Sequence, residues 1–285
     1  PAPFDAAADG LVVGEGAGLL LCLALRRFWF QREYYREGAR HLETQLARGA
    51  PFPEERTTEM TVLRGRSLVA AAGLVWPLGD LERAWRLAED GLRELRAAGD
   101  VDWTAWALST LGFLADLRGQ AETARSCLGE ALALHEARGK RDGMAVLSSN
   151  LGVLETRLGN HAAAVPHYER ALGLIRDLGD EPNVAVTLRN LSYSLQQLGE
   201  RSRARALAEE GISILRRVGQ RRMLAASLSA LADLLVAEGE PAEARRQALE
   251  ALHLAREAGE KVTLLAVLTV LGVIALALRQ EVRAA

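Results

Sequence analysis

Only two cysteines occur in 285 residues, Cys22 and Cys127, and neither belongs to a CxxC pair or a Cys/His cluster. That excludes a disulfide framework and a cysteine-based zinc site. Both thiols are expected as buried small hydrophobes in a reducing compartment. Aromatic residues are scarce at 5%, and 35 Lys plus Arg nearly balance 37 Asp plus Glu, leaving a net charge of −2. Such a balance provides no electrostatic footprint for general nucleic-acid binding. Prolines number eight, and the internal ones, Pro77, Pro166, Pro182 and Pro241, mostly fall near expected helix ends. Pro166 is the exception, in the first turns of HAAAVPHYERAL, where it is expected either to be tolerated or to tilt the helix.

Catalytic signatures are missing as well. The chain has no HExxH, GxSxG, SxxK or P-loop GxxxxGK[ST], and no Cys–His spacing that would activate a nucleophile. Its five histidines are scattered, and His161 and His167, six apart, face different sides of a helix. No catalytic residue, metal ligand or cofactor is therefore expected. Acidic clusters such as Glu209–Glu210 and Asp180–Glu181 read as solvated charge. No basic stretch precedes the apolar Leu19–Leu25, so no signal peptide is read and a cytoplasmic location is expected. The chain begins with Pro1 and is expected to be a fragment of a longer protein.

What the sequence does have is glycine at regular intervals. Gly79, Gly119, Gly159, Gly199 and Gly239 stand 40 apart, and Gly99, Gly139, Gly179, Gly219 and Gly259 repeat that spacing midway. A turn therefore arrives every 20 residues, the mark of a repeat array. Between turns the pattern is helical. Leu111, Leu151, Leu191, Leu231 and Leu271 share one phase. Ala84, Ala124, Ala164, Ala204, Ala244 and Ala284 share another, followed eight residues later by Leu92, Leu132, Leu172, Ile212 and Leu252. Alanine at a fixed point is what close helix–helix approach requires, since a larger side chain overpacks at a cost of about 1–3 kcal/mol. Glycine at a helix end adopts the left-handed conformation without steric penalty. With 49% hydrophobic residues, the chain is expected to pack as helix, tight turn, helix, turn.

The segment NLGVLETRLGNHAAAVPHYERALGL, Asn150 to Leu174, resembles the tetratricopeptide repeat, with Gly152, Ala164, Tyr168 and Ala171 on that family's small-and-large signature positions. Asn190–Leu191 and Ala204 repeat the match, with Ser192 where glycine is usual. The unit is 40 residues, longer than the common 34-residue form, and lacks its closing proline. The resemblance implies an all-α, right-handed superhelical solenoid of antiparallel helix pairs, stabilised by neighbour packing without one central core. It also implies a protein or peptide ligand in the groove lined by the first helix of each pair. Carried over by phase, the groove positions are Trp106 and Phe113, then Asn150 and Arg157, then Arg189, Asn190, Tyr193 and Gln197. A side-chain amide both donates and accepts, which suits Asn150 and Asn190 to an extended peptide backbone, and Arg157 and Arg189 suit carboxylates. The competing reading is that the two asparagines bond between helices or face water.

Residues 1–18 read as a glycine-rich lead-in, 19–50 as a divergent helical pair, 51–59 as a linker and 60–285 as five regular units plus a truncated sixth. In the divergent pair a turn is expected over Arg32–Gly38, with Leu42 and Leu46 on the apolar face of the second helix. Its aromatic and arginine-rich opening, FWFQREYYREGAR, resembles the start of the repeat arm of bacterial multidomain transcriptional regulators. That resemblance implies as partners a switch domain and a DNA-binding domain absent from this chain; the charge balance and the repeat phase lead to no direct nucleic-acid and no membrane partner being expected. The lead-in PFDAAADGLVVGEGAG, Pro3–Gly18, resembles an internal segment of β-ketoacyl synthases but carries none of that family's nucleophilic cysteine or histidine motifs. A module fused to a condensing enzyme and a free-standing scaffold stay open as alternatives. The basic runs RSRAR (Arg201–Arg205) and RRVGQRRM (Arg216–Met223) are expected to form a solvated rim. The apolar VTLLAVLTVLGVIALAL, Val262–Leu278, touches the lower limit for a membrane span of about 17–25 residues. By phase it reads instead as the first helix of the sixth unit, with an exposed apolar face.

Overall fold

The computed structural model describes residues 16–48 and 57–284, which contain helices and turns and no strand. The first 15 positions, including most of the β-ketoacyl synthase-like segment, and 51–56 of the expected linker lie outside the described residues. Contacts divide the chain into two compact units. The first, ending at Gly139, holds α1 (Ala17–Gln31), α2 (Tyr35–Arg48), α3 (Thr58–Val75), α4 (Leu81–Ala98), α5 (Val101–Leu117) and α6 (Ala121–Ala137). The second, from Lys140, holds α7 (Arg141–Arg157), α8 (His161–Leu178), α9 (Glu181–Gln197), α10 (Arg201–Val218), α11 (Arg221–Ala237), α12 (Pro241–Ala258) and α13 (Lys261–Ala284). Within each unit consecutive helices pack antiparallel in pairs: α3 with α4, α5 with α6, α7 with α8, α9 with α10, α11 with α12. The all-α paired architecture read from the glycine spacing is the one observed.

The turns follow from the glycines. All ten repeat glycines from Gly79 to Gly259 have positive φ, between 63° and 88°. Each lets the chain reverse without a Cβ clash. At Gly99 the same turn also starts the next helix. The Gly99 and Asp100 amides donate to the carbonyls of Arg96 and Leu95, and the Asp100 carboxylate then accepts from the Trp103 amide at 3.3 Å. Asp80 and Asp180 cap α4 and α9 in the same way.

Pairing depends on small residues where backbones approach. Ala84, Ala124, Ala164, Ala204 and Ala244 are all fully buried. Opposite them, a Cβ on Gly112 would meet Leu128 at 2.8 Å, and one on Gly152 would meet the Tyr168 ring at 2.7 Å. Where the repeat has Ser192 instead, its hydroxyl donates to the Ala204 carbonyl at 2.7 Å, so a polar atom fills the space with its bond satisfied. Pro166 is the sixth residue of α8 and does not break it. Both Pro166 and Ala162, whose carbonyl loses its partner, lie on the exposed face, where water can replace the missing bond.

The opening pair departs from expectation in one respect. Its turn is Arg32–Tyr34, with Glu33 at φ 59°, and Gly38 lies inside α2. A Cβ on Gly38 would meet Trp29 and Leu74 at 2.8 Å, so this glycine serves helix packing. Leu42 and Leu46 are buried as expected. Cys22 is buried and Cys127 half-buried, both free, and burial raises both thiols above their ordinary pKa.

At the other end, α13 runs 24 residues without the glycine turn of its predecessors. It is the single described helix long and apolar enough to cross a membrane, with mean hydropathy 2.4 over Lys261–Leu278. One face, with Val267 and Ile274, joins the core of the second unit. The opposite face exposes Val262, Leu265, Leu268, Val273 and Leu276. The exposed apolar face read from the sequence is present.

Two measurements check this description. Gly152→Ala should lower stability by about 1–3 kcal/mol through overpacking against the fixed Tyr168 ring. Gly173→Ala, whose Cβ meets nothing within 4 Å, should raise it by about 0.5–1 kcal/mol through helix propensity. Equal effects in thermal melts would contradict the packing role of Gly152. Leu265→Glu should reduce concentration-dependent association in sedimentation velocity and leave the helix content of the array unchanged. Detergent dependence that survives this substitution and a C-terminal extension would favour a membrane role for α13.

Candidate functional site

The expected groove residues fall into two groups, one in each compact unit. In the second unit Asn150 and Arg157 lie on α7, seven apart, and Arg189, Asn190, Tyr193 and Gln197 lie on α9. Helical spacing of 1, 4 and 8 places the α9 set on one face, and α7 packs beside α9. Asn150, Arg189 and Asn190 are half-buried, whereas Arg157, Tyr193 and Gln197 are exposed. Asn150 and Arg157 already have partners within the protein. The Arg189 guanidinium donates to the Asn190 side-chain oxygen at 3.4 Å and has no carboxylate partner among the described residues. Burial pulls its pKa down, opposed by the nearby Tyr168.

Beneath this face runs a buried polar chain that the sequence reading missed. The Tyr168 hydroxyl lies 3.1 Å from Thr156 Oγ1, which lies 3.1 Å from Ser194 Oγ, so α8, α7 and α9 are joined by side-chain hydrogen bonds. Burial raises the Tyr168 pKa, offset by the Thr156 bond and the Arg189 charge. Glu155, almost fully buried, accepts from the Asn160 side-chain amide at 2.9 Å. Tyr193 projects outward with 45% of its surface exposed, its ring edge-on to that of His161 with centroids 5.7 Å apart. Tyr168 and His161 belong to α8, a second helix, and no groove signal marks them in sequence.

In the first unit the two aromatic positions are already engaged. Trp106 is half-buried against Trp103, with ring centroids 4.2 Å apart, and the Arg26 guanidinium lies 4.6 Å from its centroid. Phe113, 38% exposed, packs edge-on to Trp76 at 4.9 Å. Trp103 stands three residues before Trp106, a spacing that puts them on neighbouring positions of one face. The part played by Arg26 is set by tertiary packing alone.

Most arginines of the two basic runs pair with carboxylates of their own helix, of neighbouring helices or of the turns between them. Arg203 pairs with Glu169 and Glu200, Arg205 with Glu209, Glu238 and Glu240, Arg216 with Glu250, and Arg217 with Glu181. Those hydrogen bonds raise the pKa of Arg205 and of Arg203. Exposed pairs of this kind contribute little stability individually, but they cancel the local positive field. Among the described residues no group of three His, Cys, Asp or Glu is placed to hold a metal ion.

Residues 143–217 and 224–258 match the tetratricopeptide repeat family, and both stretches fall in the second unit. No curated protein sequence matches the chain significantly. Among solved structures, BtubC (BKLC) from P. vanneervenii is similar at 19% identity and TM-score 0.63, covering 88% of this chain and 94% of that one. A Signal Transduction ATPase with Numerous Domains protein with a tetratricopeptide repeat sensor, from Pyrococcus horikoshii, is similar at 17% identity and TM-score 0.68. That match covers 88% of this chain and 39% of the other. A Rap protein complexed with competence and sporulation factor is similar at 11% identity and TM-score 0.63, over 87% and 79% of the two chains. The second unit thus carries tetratricopeptide repeats over those two stretches, and repeat arrays of this fold present surfaces for protein interaction.

Tyr168→Phe should cost about 0.5–1.5 kcal/mol at neutral pH through the lost hydroxyl bond. Because burial raises this phenol above its unfolded pKa, its contribution is fully present below about pH 10 and is lost as pH rises through the folded value. Thermal melts of the wild type should therefore fall more steeply than those of the variant above pH 10. Parallel curves would remove Tyr168 from the account.

Proposed function

We propose that the chain is a peptide- or protein-binding arm whose ligand lies along the α7–α9 face of the second unit. The observation that carries this reading is Arg189, a half-buried guanidinium with no carboxylate partner among the described residues. A desolvated cation is held at a cost that an anionic ligand group offsets, with the Asn190 carboxamide beside it able to hold a peptide backbone. Tyr193 adds an exposed aromatic surface one turn further along α9. The Rap protein complexed with competence and sporulation factor supports a peptide or small protein as the ligand class.

In the finer reading the arm is the sensory or regulatory part of a larger bacterial transcriptional regulator, cytoplasmic, acting on switch and DNA-binding domains encoded outside this chain. The likeness to a signal-transduction ATPase with a repeat sensor supports that placement. Ligand binding would then change how the arm packs on the switch domain. A gene that encodes repeats alone would overturn the regulator assignment and leave a free-standing scaffold.

Partners captured on the wild-type protein and verified by calorimetry provide the test of the binding face. Arg189→Ala and Asn190→Ala should each weaken such a partner roughly tenfold, corresponding to about 1.4 kcal/mol, with little change in melting temperature. Unchanged affinity in both variants would dispose of this face.

A further inference from the structure

A second site of different chemistry lies in the first unit. Trp103 and Trp106 project from α5 with rings inclined 64° at 4.2 Å between centroids. Over them stands Arg26 from α1, its guanidinium carbon 4.6 Å from the Trp106 centroid and 5.6 Å from that of Trp103. Arg66 of α3 also approaches Trp103, at 5.5 Å. The two arginines differ in their charge partners. Arg66 is paired with Asp100 at 2.7 Å, whereas Arg26 makes no ion pair among the described residues. Burial lowers the pKa of Arg26, and the adjacent Arg27 lowers it further. Among the described residues, this cation, removed from water beside another cation, is held by indole faces, the group that attracts it most among aromatic rings.

The helix that supplies Arg26 is loosely built into the unit. Of the 15 residues of α1, only Leu19, Cys22 and Trp29 are buried. Its N-cap, Gly16, offers no side-chain bond, and its first turn has no acidic residue. Leu21, Leu25, Phe28 and Phe30 face solvent. The helix therefore has few contacts to lose if Arg26 leaves the tryptophans.

We propose that the Trp103–Trp106 pair is a binding site for a guanidinium group, which Arg26 occupies in cis and an arginine side chain of a partner protein takes in its place. Guanidinium rather than ammonium is the matching group, because it is planar, weakly hydrated and stacks on indole. Arg26 then acts as an internal competitor that sets the threshold for an arginine-bearing partner. This site is separate from the α7–α9 face and does not depend on it.

The test uses the full chain and the indole N–H resonances in NMR, with Trp103 and Trp106 assigned through single Trp→Phe variants. N-acetyl-arginine amide is titrated into the wild type and Arg26→Ala, with the uncharged citrulline analogue as control. Arg26→Ala should bind the arginine amide at least fivefold more tightly than the wild type, with shifts confined to those two indoles. Arg26→Ala/Trp106→Ala should lose the gain, and citrulline amide should bind neither protein. Equal affinities of wild type and Arg26→Ala, or equal binding of citrulline, would overturn the proposal. Should Arg26→Ala fail to fold, hydrogen exchange on Trp106→Ala decides the matter. Faster exchange of Leu19–Trp29 amides with α3–α6 unchanged supports the contact as the tether of α1, and unchanged exchange overturns it.

Discussion

Close approach of paired helices is the constraint on which the rest of this protein depends. At one register a second helix presents a fully buried alanine, and the first helix facing it presents glycine, alanine or a serine that bonds the opposing carbonyl. The backbones can approach this closely only because no branched side chain stands between them. Large residues then fill the space beyond the contact, and Tyr168 against Gly152 is the clearest case. Within each compact unit, each pair buries its own interior and passes an apolar face to the next helix, so stability there is distributed from pair to pair. In α13 the same logic runs without a covering helix in the structure, and the register that is buried in α11 as Ala225, Leu228 and Ala232 is exposed at Leu265, Leu268 and Gly272.

Arginine divides into two populations, and the division separates scaffold from candidate function. Most arginines on the second helices and at the turns pair with Glu or Asp about one repeat away, as Arg176 does with Glu210 and Arg216 with Glu250. Such pairs line up by period, because residues at equivalent positions in successive units are neighbours in space. Arg26 and Arg189 break the pattern. Both have lost water without gaining a carboxylate among the described residues, one lying on tryptophan rings and the other beside a carboxamide and a buried phenol. A half-buried cation of this kind contributes little to folding.

Much of the fold was legible because a repeat multiplies every local signal. One glycine is ambiguous, but ten at 20-residue spacing mark ten turns, and all ten have positive φ. The alanine phase likewise marked the close contacts. Gly38 was misread for the converse reason: outside the periodic region a lone glycine signals a turn or a tight packing point equally well. The candidate site was legible only in part. Phase placed Arg189, Asn190, Tyr193 and Gln197 on one face, but it carried no sign that Tyr168, Thr156 and Ser194 join beneath them. Those three residues come from three helices, and their spacing in sequence has no period that marks a hydrogen bond.

The sequence by itself determined the helices, their ends and their pairing, since these rest on short-range backbone preference and on a period repeated along the chain. It also determined that positive and negative charge balance. Only the tertiary structure decided which charges meet. It put carboxylates on most arginines of the basic runs, left Arg189 without one among the described residues, and carried Arg26 from α1 past α3 to the tryptophans of α5. Those outcomes turn on where long side chains end, several ångströms from their backbones, and no local propensity or repeat spacing encodes that position.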